Sequence, residues 1–194
     1  MLLDDIIPEY DAASRHSTFI EASPSTVYRA ARTADLGRGW VVRILMAVRT
    51  APALTVAALR GKVSVPTPAA DAPAVGAARF TLIDEKQGEE FVLGIMGRFW
   101  QLTGGVVPAS AERLRQLPEP GLAQGIWNFR VVPSGEGSLL STETRVRCGD
   151  DATRTSFLRY WRVIRPASGL IRSSMLRQVR RSTETQSAAE GVDR

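Results

Sequence analysis

Cysteine occurs once in the 194 residues, as Cys148, and histidine once, as His16. A lone thiol excludes an intramolecular disulfide and carries no information about redox compartment. One imidazole with one thiol makes no zinc-type ligand set, so no metal is expected. A Ser-His-acid triad would have to use His16, and nothing near it suggests a nucleophile elbow. His16 reads instead as a hydrogen-bonding residue at a sheet end. Lysine is nearly absent too: Lys62 and Lys86 are the only two among 25 basic residues. Phosphate-binding glycine loops are missing, because Gly94 and Gly97 lie in no G-x-x-x-x-G-K or G-x-G-x-x-G pattern, and no cofactor is expected. The longest apolar-looking run, Trp40 to Leu59, is interrupted by Arg43, Arg49 and Pro52, which makes a poor membrane span. The first five residues, Met1-Leu2-Leu3-Asp4-Asp5, are acidic where a signal peptide is basic. A cytoplasmic protein is the expectation.

What is present is enough sequence for one domain with a sizeable core. Hydrophobic residues make up 44% of the chain, an ordinary share for a globular protein, and the formal net charge is +5. Arginine suits phosphates, carboxylates and anionic surfaces better than lysine does. A codon composition that raises Arg and Ala together accounts for the same excess.

One long helical pattern, from about Asp150 to about Glu184, dominates the last third. At 100° per residue, Phe157, Tyr160, Trp161, Ile164, Ile171, Met175 and Val179 share an arc of about 100°. Arg154, Arg159, Arg162, Arg165, Arg172, Arg177, Arg180 and Arg181 are assigned to the opposite half, the pattern of a helix with one buried face. Asp150 or Asp151 can cap its start. Pro166 predicts a kink or short break, with Ser168-Gly169 restarting the second half.

Residues 1–13 read as an arm that packs on the surface, residues 14–184 as a single domain, and 185–194 as a disordered tail. Ser14 to Ala22 predicts a first strand alternating around Phe19 and Glu21. Ser23-Pro24 then opens a helix to about Arg32. Gly37-Arg38-Gly39 breaks the chain before a second short helix over Trp40 to Val48. The proline- and alanine-rich residues 61–76 read as a mobile loop. From Ala77 the period becomes two. Strands are predicted over Ala78–Asp84, Glu90 to about Trp100, Gln124–Val132 and Ser138–Cys148, with a further piece near Gly104–Val107. Hairpin connections fall at 85–88 and 133–137, and Ser110–Leu117 reads as a short capped helix.

Alternation also predicts faces. Leu140, Thr142, Thr144, Val146 and Cys148 oppose Ser141, Glu143, Arg145 and Arg147. Trp127, Phe129 and Val131 oppose Asn128 and Arg130, while Phe91, Leu93, Ile95, Gly97 and Phe99 oppose Arg98. The apolar set is expected to face the helix, because charge is not buried unpaired. Glu143 is expected to pair with Arg98, Arg130 or Arg145 on a solvated outer face. A catalytic carboxylate is the alternative.

This order resembles the START-like helix-grip (SRPBCC) superfamily, which includes polyketide cyclases and lipid-transfer domains. The likeness rests on Ile20-Glu21-Ala22-Ser23-Pro24-Ser25-Thr26-Val27-Tyr28 at the strand-to-helix junction. It also rests on Glu90-Phe91-Val92-Leu93-Gly94 with Gly97-Arg98-Phe99-Trp100, and on Leu140-Ser141-Thr142-Glu143-Thr144-Arg145-Val146. Tyr160-Trp161 with Ser168-Gly169-Leu170-Ile171-Arg172 completes it, so that roughly residues 14–184 look like a bacterial branch of the superfamily. The resemblance implies an α+β fold: a curved antiparallel sheet wrapped around a long C-terminal helix, with two short helices after the first strand. It implies an apolar cavity between them but no particular reaction, since the superfamily mixes enzymes with binding proteins.

The expected ligand-binding residues are Phe91, Leu93, Ile95, Phe99, Trp127, Phe129, Thr142, Thr144, Phe157, Tyr160, Trp161 and Ile164. Phe80, Leu82 and Met175 extend the same wall. A mostly apolar lining with a few polar points is what small hydrophobic ligands use, and Thr142, Thr144 and Tyr160 supply the points. Aromatics at helical spacing also simply fill cores. The expected partner is a hydrophobic small molecule or lipid. A cyclase- or dehydratase-type enzyme would use the same cavity, with Tyr28, Tyr160 or Glu143 moving a proton. The Arg-rich helix face, with Arg38, Arg43, Arg49 and Arg60, offers an alternative contact with an anionic membrane surface. No helix-turn-helix or RNA-binding aromatic motif supports nucleic acid.

Overall fold

A computed structural model describes residues 1–33, 80–101 and 105–192. The expected second helix over Trp40–Val48, the loop 61–76 and the basic residues Arg38, Arg43, Arg49 and Arg60 lie outside the described residues.

The chain is α+β, an antiparallel sheet with helices packed on it. Helix α1 (Leu2–Ile6) precedes strand β1 (Ala12–Ile20) and helix α2 (Pro24–Thr33). Strands β2 (Thr81–Lys86), β3 (Glu90–Gly97), β4 (Val106–Val107), β5 (Ala123–Ser134) and β6 (Gly137–Cys148) follow, with a 3-10 turn at Arg113–Arg115. Helix α3 (Asp151–Val192) closes the order and continues through 185–192, the stretch expected to be a tail. In space the strands run β1-β6-β5-β3-β2, with β4 beside β3.

Local chemistry explains the boundaries. Gly88 and Gly135 take positive φ, +81° and +55°, at the β2–β3 and β5–β6 turns, a conformation in which a Cβ is penalised. Ser23 Oγ accepts the Thr26 amide at 3.3 Å and caps α2, with Pro24 in the first helical position. Ser110 Oγ likewise accepts the Arg113 amide at 3.2 Å. At the start of α3, Asp150 accepts the Thr153 amide at 2.7 Å and, through its other oxygen, the Gly121 amide. These backbone donors hold the Asp150 carboxyl below its usual range and tie the helix start to the loop before β5. Of the kink or short break expected at Pro166, the break does not occur: α3 is continuous across it. Pro166 and Arg162, whose carbonyl loses the missing N–H, are both exposed, so water can serve that carbonyl.

The inner sheet face packs on α2 and α3. Phe91, Trp127, Phe129, Val131 and Leu140 join Val27, Ala31, Met175, Leu176 and Val179 in one core. A second cluster on the same side gathers Ala12, Ala123, Val146, Cys148 and Phe157 near the start of α3. In β1, Ala12 and Ile20 are buried on the inner face, whereas Phe19 is 43% exposed.

The outer face differs from the solvated surface expected. Leu3, Ile6 and Ile7 of the N-terminal segment pack with Ile83, Val92, Met96, Leu114 and Ile126 as a separate core. The arm is therefore built into the fold, and Glu143 and Arg145 are buried beneath it. Their burial is tolerated because each is multiply bonded. Arg145 Nε donates to Glu143 at 2.8 Å, one of its terminal nitrogens donates to the Ile7 carbonyl at 3.0 Å, and the other donates to Asp4 at 2.6 Å. Arg15, directly opposite Glu143 on β1, donates to the same carboxylate at 2.7 Å. Buried Glu90 accepts from Asn128 at 2.7 Å and from the Leu2 amide at 3.0 Å. The expected Glu143–Arg145 pair thus exists, as a buried network rather than a surface pair.

Candidate ligand-binding site

The inner face divides the twelve expected residues into two sets. Phe91, Trp127, Phe129, Thr142, Phe157 and Ile164 are buried. Leu93, Ile95, Phe99, Thr144, Tyr160 and Trp161 keep partial exposure. Strand register aligns the sheet members in rows: Phe91–Phe129–Thr142, then Leu93–Trp127–Thr144, then Ile95–Gly125–Val146. The aromatic rings pair within separate clusters. Phe91 stacks on Phe129 with centroids 5.1 Å apart, and Phe157 contacts Phe99 and Trp161, each at 5.8 Å.

Gly125 sits in the middle of the partly exposed set. A Cβ there would lie 3.7 Å from the Ile95 side chain and 3.8 Å from the Phe99 ring, so those two residues flank a position without a side chain of its own. Tyr160 and Trp161 pack into the same cluster from α3. Phe80 meets Trp127 edge-on at 4.7 Å. Leu82, expected in the wall, is 39% exposed, while the next residue, Ile83, packs in the outer core at the register shift between Leu82 and Asp84.

The strands β1 and β6 interrupt the apolar layer. Between Val146 and Leu140, both buried, come Thr144 and Thr142, and opposite them on β1 stand Ser14 and His16. Ser14 Oγ lies 3.0 Å from His16 Nε2. Burial, with the nearby Arg172 charge adding to it, pushes the His16 pKa down, so its neutral form is favoured. Half-buried Arg172 reaches in from α3, donating to Thr142 Oγ1 at 3.3 Å with its guanidinium carbon 5.4 Å from the Trp127 ring centre. Desolvation pushes the Arg172 pKa down to about 10. It still carries its charge at neutral pH. Thr144 Oγ1 is buried without a hydrogen-bond partner among the described residues.

Arg172 is the site residue that the helical pattern misplaced on the solvent half. On a 100°-per-residue wheel it lies only about 20° from Val179, at the margin of the apolar arc. A long side chain at such a margin can turn its head inward. An open cleft of about 470 Å³ between β1 and α3, lined by Ser14, His16, Arg165 and Gly169, reaches the belt from outside.

The other sequence candidates are committed elsewhere. Tyr28 donates to Glu85 at 2.5 Å, and burial together with that bond raises its pKa to about 12. Glu143 points to the opposite face of the sheet. Burial raises the Cys148 thiol to about 12, which makes it a poor nucleophile. Among the described residues no three His, Cys, Asp or Glu side chains converge as a metal site would need. No helix among them is long and apolar enough to cross a membrane.

No protein-family model matches the chain, and no curated protein does. Among solved structures it is similar to TTHA0849 from Thermus thermophilus, with 9% sequence identity over 92% of this chain and 99% of that one, at a TM-score of 0.31. A likeness of that degree carries no argument about activity.

Proposed function

We propose that the chain binds a hydrophobic small molecule or lipid between the sheet and the C-terminal helix, in the manner of a START-like helix-grip protein. The observation that carries this reading is the partial exposure of the apolar residues Leu93, Ile95, Phe99 and Trp161, of which Ile95 and Phe99 flank Gly125. A layer built only to fill a core would close over such residues, since exposed aromatic and branched side chains forgo the benefit of burial. Leu93 and Ile95 stand on the inner face of the sheet beside Trp127 and Gly125, where an apolar ligand would be received.

Native mass spectrometry of the gently purified protein is expected to show a discrete added mass that is lost on denaturation. Nile red is expected to bind with enhanced fluorescence. Trp161→Leu should weaken that binding roughly tenfold, as removal of a central aromatic contact does. Because Trp161 is only partly buried, its thermal midpoint should move little. A protein that carries no mass and binds no Nile red would overturn the reading.

A second reading draws on the outward face of α3, where Arg159, Arg162, Arg165 and Arg177 are exposed. Such a stripe supports peripheral contact with an anionic surface. Binding to phosphatidylserine-containing vesicles should then fall steeply between about 50 and 500 mM salt as charges are screened. Salt-independent binding, or none, would remove it.

A further inference from the structure

We propose that the polar belt on β1, β6 and α3 receives the carboxylate of an otherwise apolar ligand, with Arg172 as its receptor. This deepens the proposed function and rests on it. An Arg guanidinium offers five N–H donors in a planar fork suited to a carboxylate. Arg172 uses one of its terminal nitrogens, toward the neutral Thr142 hydroxyl, and no carboxylate pairs with it among the described residues. A cation held against Trp127 and largely surrounded by protein loses hydration that one neutral hydrogen bond does not restore. Arg145 shows the contrast within this same protein: buried on the other face, it is matched by Glu143, Asp4 and a backbone carbonyl.

The neighbours fit the same occupant. Thr144 stands two residues from Thr142 on the same face and directly opposite Trp127, and its buried hydroxyl has no partner among the described residues. That hydroxyl can donate to a carboxylate oxygen. Neutral His16 and Ser14, bonded to each other, close the belt on its β1 side without adding negative charge. The cleft lined by Ser14, His16, Arg165 and Gly169 opens at this end, so the charged head would lie nearest solvent. The apolar body would then run along Trp127 and Leu93 toward Ile95 and Phe99. The chemistry is therefore a monocarboxylate on a hydrophobic body, either an alkyl chain or a fused ring system.

The test compares acids with their uncharged esters. Fluorescence titrations with cis-parinaric acid and 1-pyrenebutyric acid, each beside its methyl ester, would be run on the full-length protein, Arg172→Met and Arg172→Lys. At least one acid should bind the wild type about tenfold or more tighter than its ester, the worth of one charge-assisted pair. Which acid does so separates an alkyl from a ring body. Arg172→Met should erase the preference while leaving ester affinity in place, and Arg172→Lys should keep part of it. Should Arg172→Met fail to fold by circular dichroism, Thr142→Val serves in its place, with a smaller loss of preference. Equal binding of acid and ester to the wild type, or a preference unchanged in Arg172→Met, would overturn the carboxylate assignment while the cavity stands. Failure of acids and esters alike to bind the wild type would remove both.

Discussion

Glu143→Ala is expected to lower stability by about 3 kcal/mol, because it takes from the buried Arg145 guanidinium its one buried carboxylate partner. Glu143 and Arg145 have side chains only 8% and 7% exposed, and the carboxylate also takes Arg15. The effect is placed at the lower end of the range for a broken buried pair because Arg145 keeps Asp4 and the Ile7 carbonyl. Urea unfolding of the single variants and of Glu143→Leu/Arg145→Met measures it. The double variant should recover most of the loss, since removing both charges leaves neither buried alone. Ligand binding by Glu143→Ala, measured under conditions where the variant is folded, should equal that of the wild type, because the residue points away from the inner face. A loss within about 0.5 kcal/mol, the scale of an ordinary surface substitution, would refute the network. A selective loss of ligand chemistry with stability intact would instead restore the catalytic alternative.

Phe129→Ala should cost a similar amount, about 3–5 kcal/mol, through different physics. Phe129 is fully buried, stacked on Phe91, and flanked by Phe91 on β3 and Thr142 on β6. Strands fixed by ladders on both sides cannot collapse into the space the ring leaves, so the loss includes a cavity as well as the transfer term. For a chain of this length the thermal midpoint should fall by roughly 10 °C. Phe129→Leu should recover more than half of the difference. A midpoint for Phe129→Ala within about 2 °C of wild type, less than 1 kcal/mol would give, would mean that this centre is loosely packed. The comparison with Trp161→Leu is informative, since Phe129 is expected to govern stability and Trp161 binding.

The difference between those two residues is not legible in the amino-acid pattern. Both carry apolar rings at positions the period places inward, and the pattern assigns both to one wall. Whether a ring ends fully buried or partly exposed depends on its neighbours across strands, such as Gly125 beside Ile95 and Phe99. Sequence spacing records the face of a residue, not its partner. The outer core is readable in part. Val92, Met96 and Ile126 are apolar on the face assigned to Arg98 and Arg130, and the arm supplies Leu3, Ile6 and Ile7. A strand apolar on both faces is covered on both.

Arg172 illustrates the remaining limit. A helical wheel sorts residues by angle alone, and an arginine at the margin of an apolar arc is assigned outward by its charge. What turns it inward is the Thr142 hydroxyl and the Trp127 ring, brought opposite it from segments 30 and 45 residues away by the pairing of β5 with β6.

The sequence by itself determined the α+β class, the strand segments from β2 to β6, both capped helices and the single aromatic face of the last one. These follow from local periodicity, from turn glycines and from side-chain caps, each acting within a few residues. Only the tertiary structure decided that Glu143 and Arg145 are buried, that the N-terminal segment is part of the core, and that Arg172 enters the inner layer. Each of those outcomes depends on contacts between distant segments, where a charge is stable or costly according to partners that no local pattern records.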